Sequence, residues 1–251
     1  MGRFVRIAAA ALVAAAVFSP PALAGPRELP QSYVRYSTDQ PGAPAGTDLH
    51  IWFVNPTDPN AKPYAVQNMI VHAPAGGVVY TTALPQCKAS DAEIYLEGWD
   101  ACPADTFLGG GFAFSDAGQN SPPGSRYSRT TIKNFNNQDE VIGIGINDNI
   151  SAIKTIDRSK IDHQAGTLTS TFPLFPGPPE PPTNEPYIPI SELSITFPPH
   201  SSGDKTYNRT PSTCPPSRHW TFVIDFVYRD GTVDTISSDS PCTGRAANPL
   251  A

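Results

Sequence analysis

Five histidines, two clusters of acids, four cysteines and three tryptophans are the side chains with chemistry to offer. His50, His72, His163, His200 and His219 are scattered, with no two at metal-ligand spacing and no Gly-x-Ser-x-Gly elbow to accompany them. His50 and His72 fall in strand-like stretches, where a surface or hydrogen-bonded imidazole is commoner than a catalytic one. Glycoside cleavage needs two carboxylates about 5 to 10 Å apart in a cleft. Asp91, Glu93, Glu97 and Asp100 form one acidic group, and Asp225, Asp230 and Asp234 another. Closeness along the chain does not make a cleft, and solvated acids on a helix and a turn are the plainer reading. Asn147-Asp148-Asn149, with Asp139 and Glu140 nearby, offers oxygens to calcium. A calcium loop wants more carboxylates at set positions, so a β-turn is expected there and no metal. Gly109-Gly110-Gly111 is not a phosphate loop, because no Gly-Lys-Ser/Thr follows. A β-bulge, or close packing against a bridge at Cys102, accounts for it better.

The tryptophans point to binding. Trp52, Trp99 and Trp220, with nine Tyr, could present rings to a sugar. Trp220 continues an apolar strand face and belongs in a core. Trp52 and Trp99 remain as candidate stacking residues, Trp99 the more exposed because it sits beside Gly98. Asn149-Ile150-Ser151 and Asn208-Arg209-Thr210 match a glycosylation acceptor but are discounted beside a bacterial-type leader.

The elements that position these residues are strands. Twenty-nine Pro and 19 Gly against two Met, with β-branched and aromatic residues in short bursts, is an all-β composition. Strands are expected at residues 33–37, 48–54, 65–73, 78–82, 107–114, 127–135, 140–147, 150–156, 167–172 and 190–197. In 140–147, Val141, Gly143 and Gly145 share a face that admits another backbone. Ser90 with Glu93 forms a capping box for one short helix that Gly98 ends. Residues 173–189 hold eight Pro, an extended run that cannot sit inside a sheet and reads as a surface loop or crossover. The most tightly argued part is the end. His219 to Tyr228 places Trp220, Phe222, Ile224 and Phe226 on one face, Arg229-Asp230-Gly231 turns the chain, and Thr232 to Ser237 returns. Pairing Tyr228 with Thr232 puts Cys242 opposite Arg218, close to Cys214.

The first 24 residues read as a secretory signal: Arg3 and Arg6, an apolar run from Ile7 to Phe18 too short to span a bilayer, and Ala22-Leu23-Ala24. Without Arg3 and Arg6, 15 basic residues face 23 acidic ones, which argues against nucleic acid or an anionic membrane surface as partner. No later stretch reaches the roughly 20 apolar residues of a membrane helix. Four Cys in an exported chain imply two disulfides, and of three pairings Cys87–Cys102 and Cys214–Cys242 are favoured because each brackets a local unit. Each closed loop contributes about 3 to 4 kcal/mol on the chain-entropy view. Zinc is disfavoured, since no Cys-x-x-Cys pair is present.

Leu84-Pro85-x-Cys87, Ala101-Cys102-Pro103 followed by Gly109-x-Gly111, and Thr210 to Pro215 with Trp220, Asp230-Gly231 and Pro241-Cys242 resemble a group of secreted actinobacterial β-proteins. The resemblance implies a compact, disulfide-stapled, exported β-domain and no catalytic residue. The expectation is therefore an antiparallel β-sandwich spanning residues 25–251, with one helical insert and no cofactor. It acts outside the cell by binding an envelope glycan or another exported protein, or by contributing structure there. The alternative is a secreted glycan or ester hydrolase on a β-scaffold. An enzyme needs paired acids or a nucleophile with its base in a cleft, whereas a binding module needs a shallow groove or an exposed aromatic row.

Overall fold

Alternation of apolar and polar residues turns most of the chain into strands. The computed structural model describes residues 27–182, 184–203 and 205–244, so the expected leader, residues 1–24, lies outside the described residues. In chain order the strands are β1 (Tyr33–Tyr36), β2 (Thr47–Trp52), β3 (Val66–His72), β4 (Val78–Val79), β5 (Phe107–Asp116), β6 (Tyr127–Asn137), β7 (Glu140–Asn147), β8 (Lys154–Asp162) and β9 (Thr167–Thr171). They continue with β10 (Phe175–Pro176), β11 (Tyr187–Ile188), β12 (Ile190–Phe197), β13 (Ser201–Ser202), β14 (Lys205–Thr206), β15 (Asn208–Arg209), β16 (His219–Tyr228) and β17 (Val233–Pro241). Among the described residues the one α-helix, α1, spans Asp91–Glu97.

Eleven of these strands make a single antiparallel sheet in the order β1-β2-β12-β5-β6-β7-β8-β9-β3-β16-β17. The run β5 to β9 is a meander, while β12 returns over a long connection to lie between β2 and β5. The sheet curls until its edges meet, so its two halves face one another across the core. The seam is closed by side chains: Ser238 Oγ accepts from the Val34 N–H at 3.0 Å and donates to the Val34 carbonyl at 2.8 Å. Ser240 Oγ accepts from the Tyr36 N–H at 3.0 Å. Both serines are buried.

Inward residues of β2 (Leu49, Ile51), β12 (Leu193, Ile195) and β16 (Trp220, Phe222, Ile224, Phe226) share one core. Each buried Phe or Ile is worth about 1.5 to 3 kcal/mol by area removed from water. A second, smaller core lies outside the sheet, where Ile94 of α1 packs on Phe135, Ile142 and Ile144 beside Cys87 and Cys102. Strand β7 is therefore covered on both faces. The helix carries the expected capping box: Ser90 Oγ accepts from the Glu93 N–H, and the Glu93 carboxylate accepts from the Ser90 N–H at 2.7 Å. Gly98 ends it at φ 67°.

Both expected disulfides form, with Cα separations of 5.1 Å for Cys87–Cys102 and 5.6 Å for Cys214–Cys242. In the terminal hairpin the Tyr228 N–H meets the Thr232 carbonyl at 2.9 Å, and the Cys242 N–H meets the Arg218 carbonyl at 2.9 Å. The return strand runs on to Pro241, beyond the Ser237 expected from the sequence.

Four expectations are corrected. The strand placed at 150–156 begins at Lys154, because Asn147 Oδ1 accepts from the N–H groups of Asn149 and Ile150 and winds that stretch into a turn. Only Val78–Val79 of the 78–82 stretch is extended, and a 3-10 turn at Thr81–Ala83 follows. The Gly109–Gly111 run does hold a bulge, in the shift between Phe107 and Gly109, but it packs on β12 rather than on the Cys102 bridge. A Cβ on Gly111 would lie 1.8 Å from the Ser194 carbonyl oxygen, and one on Gly109 2.2 Å from that of Thr196. At Gly145 the close neighbours are the side chains of Thr155 and Thr130, not a backbone.

The Pro-rich run stays outside the main sheet and forms its own ladder of β10 with β11. Buried Lys62 ties it down, donating to the carbonyls of Pro178 and Tyr187 at 2.6 and 2.9 Å. The buried Glu180 carboxylate accepts from the N–H groups of Gln119 and Asn120.

At the Tyr228 end of the curled sheet the segment Arg27-Glu28 acts as a plug. The Arg27 guanidinium lies 4.0 and 4.3 Å from the rings of Tyr64 and Tyr228 and donates to Thr232 and Asp230. The Tyr228 hydroxyl donates to Glu28 Oε1.

Candidate ligand-binding face

Because Leu49, Ile51, Leu193, Ile195 and Ala113 turn inward, the residues between them turn out. The outer face of β2 then carries His50 and Trp52, that of β12 carries Glu192 and Ser194, and that of β5 carries Phe112 and Phe114. The registers align Trp52, Glu192, Phe114 and Arg129 in one cross-strand row, and His50, Ser194, Phe112 and Thr131 in the next. Tyr33 of β1 pairs with His50 at the edge. All these rings are half-buried, and among the described residues no element packs over them as α1 packs over β7.

The rings touch. His50 and Trp52 stack with centroids 3.6 Å apart and planes 22° off parallel. Tyr33 meets His50 edge-on at 6.1 Å, Phe112 meets His50 at 6.5 Å, and Phe112 meets Phe114 at 5.4 Å. Polar groups fix the patch in place. His50 Nε2 and Glu192 Oε1 are 2.7 Å apart. Arg129 lies 4.9 Å from the Phe112 centroid, a cation–π contact, and bonds Asp148 at 2.5 Å. Hydrogen bonds from Thr131 and Arg129 hold the Asp148 carboxyl below the usual carboxylate range. The result is a shallow, half-buried aromatic face in which Glu192 and Ser194 lie between the rings of β2 and those of β5, with the Arg129 guanidinium on the far side of β5. Such a surface stacks on the C–H face of a flat ring while its polar groups exchange hydrogen bonds with hydroxyls.

Trp52 therefore sits inside an aromatic row, and Trp99 does not. Trp99 is half-buried against the helix core, donates from Nε1 to the Ile144 carbonyl at 2.8 Å, and has Lys133 Nζ 4.3 Å from its ring. Three strands separate the two tryptophans, roughly 15 Å or more at strand spacing. Trp99 instead lines a separate open hollow of about 290 Å³ with Phe107, Lys133 and Phe135. The partners of Trp52 are not legible in the sequence because nothing in the glycine-rich strand sets which face Phe112 and Phe114 take. Their parity becomes readable only once Ala113 is known to face inward.

The other candidate residues are placed apart. Asp91 pairs with Arg158, Glu93 is spent on the helix cap, Asp225 accepts from Thr235 and meets His72 at 2.9 Å, and Asp230 binds Arg27 and Thr232. In the suggested calcium loop Asn147 makes its turn, Asp148 holds Arg129, and Glu140 is held by Arg158 and Lys160. Among the described residues no group of three or more His, Cys, Asp or Glu is arranged to hold a metal ion. Glu28 is the acid most altered by its surroundings. Burial pushes it up to about 7, Asp234 adds to the rise, and the Tyr228 hydroxyl opposes it. At 2 % exposure, however, Glu28 is out of a substrate's reach. No helix among the described residues is long and apolar enough to cross a membrane.

Compared with family models, with curated proteins and with solved structures, the chain matches none.

Proposed function

We propose that this chain is an exported, non-catalytic binding protein that takes a glycan of the cell envelope on the outer face of β1, β2, β12, β5 and β6. The observation that carries this reading is the chain of neighbouring rings from Tyr33 through His50 and Trp52 to Phe112 and Phe114, with Glu192 among them and Arg129 at its side. Supporting it, the two disulfides suit an oxidising compartment. Of the acids singled out in the sequence, Asp91, Glu93, Asp225, Asp230 and Asp234 are engaged in a cap, a turn, ion pairs and hydrogen bonds within the chain.

The test is co-sedimentation of the purified chain with isolated envelope and with insoluble glycans. Saturable binding to one fraction is expected, weakened about 30-fold or more by Trp52→Ala, as befits a ring at the centre of a contact. Trp99→Ala should leave it within about twofold. No sedimentation with any fraction removes the reading.

A further inference from the structure

Opposite the plugged end, the curled sheet holds a cavity of about 230 Å³ that opens outward. Tyr36, Val71, Leu108, Val141, Tyr207 and Phe222 are among its walls. The volume exceeds the roughly 150 Å³ that suffices for benzene in an apolar protein cavity, so one substituted ring or a chain of similar bulk fits. Mouths of β-barrels are favoured places for such sites.

Its polar groups define the ligand. His200 Nε2 is paired with the Leu108 carbonyl at 2.7 Å, His163 Nε2 with Asp139 at 2.9 Å, and Asn208 donates to Thr47 at 2.9 Å. The hydroxyl of Tyr207 has no hydrogen-bond partner among the described residues, although the residue is only 7 % exposed. Tyr36, equally buried, offers a second hydroxyl that bonds to no described residue; it lies beside Gly77 at the rim. A buried donor left unpaired costs stability that a ligand's acceptor can restore. Burial pushes both phenols up, so both remain protonated donors. Among the described residues no Lys or Arg lines the cavity, while Asp162 does, and the chain carries a net charge of −6. An anionic ligand is therefore opposed.

We infer that this cavity binds an uncharged, largely apolar small molecule whose hydrogen-bond acceptor, an ester or carbonyl oxygen, is met by the Tyr36 or Tyr207 hydroxyl. The site is separate from the outer aromatic face, and glycan binding there neither supports nor opposes it.

The experiment titrates the purified, disulfide-bonded chain with methyl benzoate, benzoate and toluene, reading saturation-transfer NMR and calorimetry. Methyl benzoate should saturate below about 1 mM, with benzoate at least tenfold weaker. Ala73→Trp, at an exposed position on the mouth, should abolish binding while circular dichroism stays unchanged. The double variant Tyr36→Phe/Tyr207→Phe should weaken methyl benzoate about fivefold and leave toluene unchanged, the scale of one lost hydrogen bond. The inference is overturned if neither methyl benzoate nor toluene saturates, if Ala73→Trp binds as the parent does, or if benzoate matches the ester. Equal affinity of the ester for parent and double variant overturns it too.

Discussion

At one end of the curled sheet Arg27 lies across two tyrosine rings and gathers Asp230 and Thr232 around it, with Glu28 sealed against Tyr228. Six residues back along β16, roughly 20 Å away at the rise of a strand, Phe222 and Tyr36 wall a void that stays open. The same sheet thus spends charged and aromatic groups to close one end and leaves apolar walls and unpaired phenols at the other. The difference is one of space: Arg27 and Glu28 Oε1 fill the plugged end with contacts inside the chain, although the buried Glu28 Oε2 has no partner among the described residues. At the open end the Tyr207 hydroxyl, on the wall of a void, has none among the described residues, which is what a site awaiting a ligand presents.

Substitutions at matched positions sharpen that contrast. The largest effect is expected from Phe226→Ala, at a fully buried ring near the plug, which should cost about 4 kcal/mol in urea unfolding. Phe222→Ala, which only enlarges an existing void, should cost at least about 1 kcal/mol less. Equal costs would break the comparison.

Next comes pH. Glu28 titrates at about 7 in the fold against an ordinary value near 4.5, so the folded state prefers its protonated form. Its contribution is complete below about pH 4.5 and is lost as pH rises through 7. The stability difference between the parent and Glu28→Gln should accordingly shift by about 2 to 3 kcal/mol between pH 4 and 8, with the parent losing ground as pH rises. A difference that is flat with pH would show that Glu28 is not sealed. Arg27→Ala should cost about 2 kcal/mol at pH 7 by removing the guanidinium from Asp230, Thr232 and the rings of Tyr64 and Tyr228. The smallest effect has the opposite sign: Tyr207→Phe removes an unpaired hydroxyl and should stabilise the ligand-free chain by roughly 1 kcal/mol, measured as a rise in Tm.

Local chemistry was legible in the sequence, and distant pairing was not. The terminal hairpin, the capping box at Ser90 and Glu93, and both disulfides follow from alternation, turn residues and short spacing, and all stand as read. The plug was invisible because Arg27 meets Asp234 across 207 residues of chain. Nothing along the chain announces that β12 inserts between β2 and β5, which is what lines Phe112 and Phe114 up with Trp52. The surroundings of Trp99 show the same limit: Gly98 signals a helix end, but the strand carbonyl that accepts from the indole comes from Ile144. Lys62 and Glu180, with their look of surface residues, are buried because the Pro-rich run folds back over Lys62 and carries Glu180 inward to the amides of Gln119 and Asn120.

The serine seam bears on self-association. An edge strand normally displays a row of free N–H and C=O groups on which a second molecule can lay a strand. Here the edge of β1 is four residues long, and Ser238 and Ser240 of β17 occupy the amides of Val34 and Tyr36. Each edge is thereby hidden by the other, without a backbone ladder to join them. Two hydroxyl groups stand between this curled sheet and the open-ended stacking of one copy on the next.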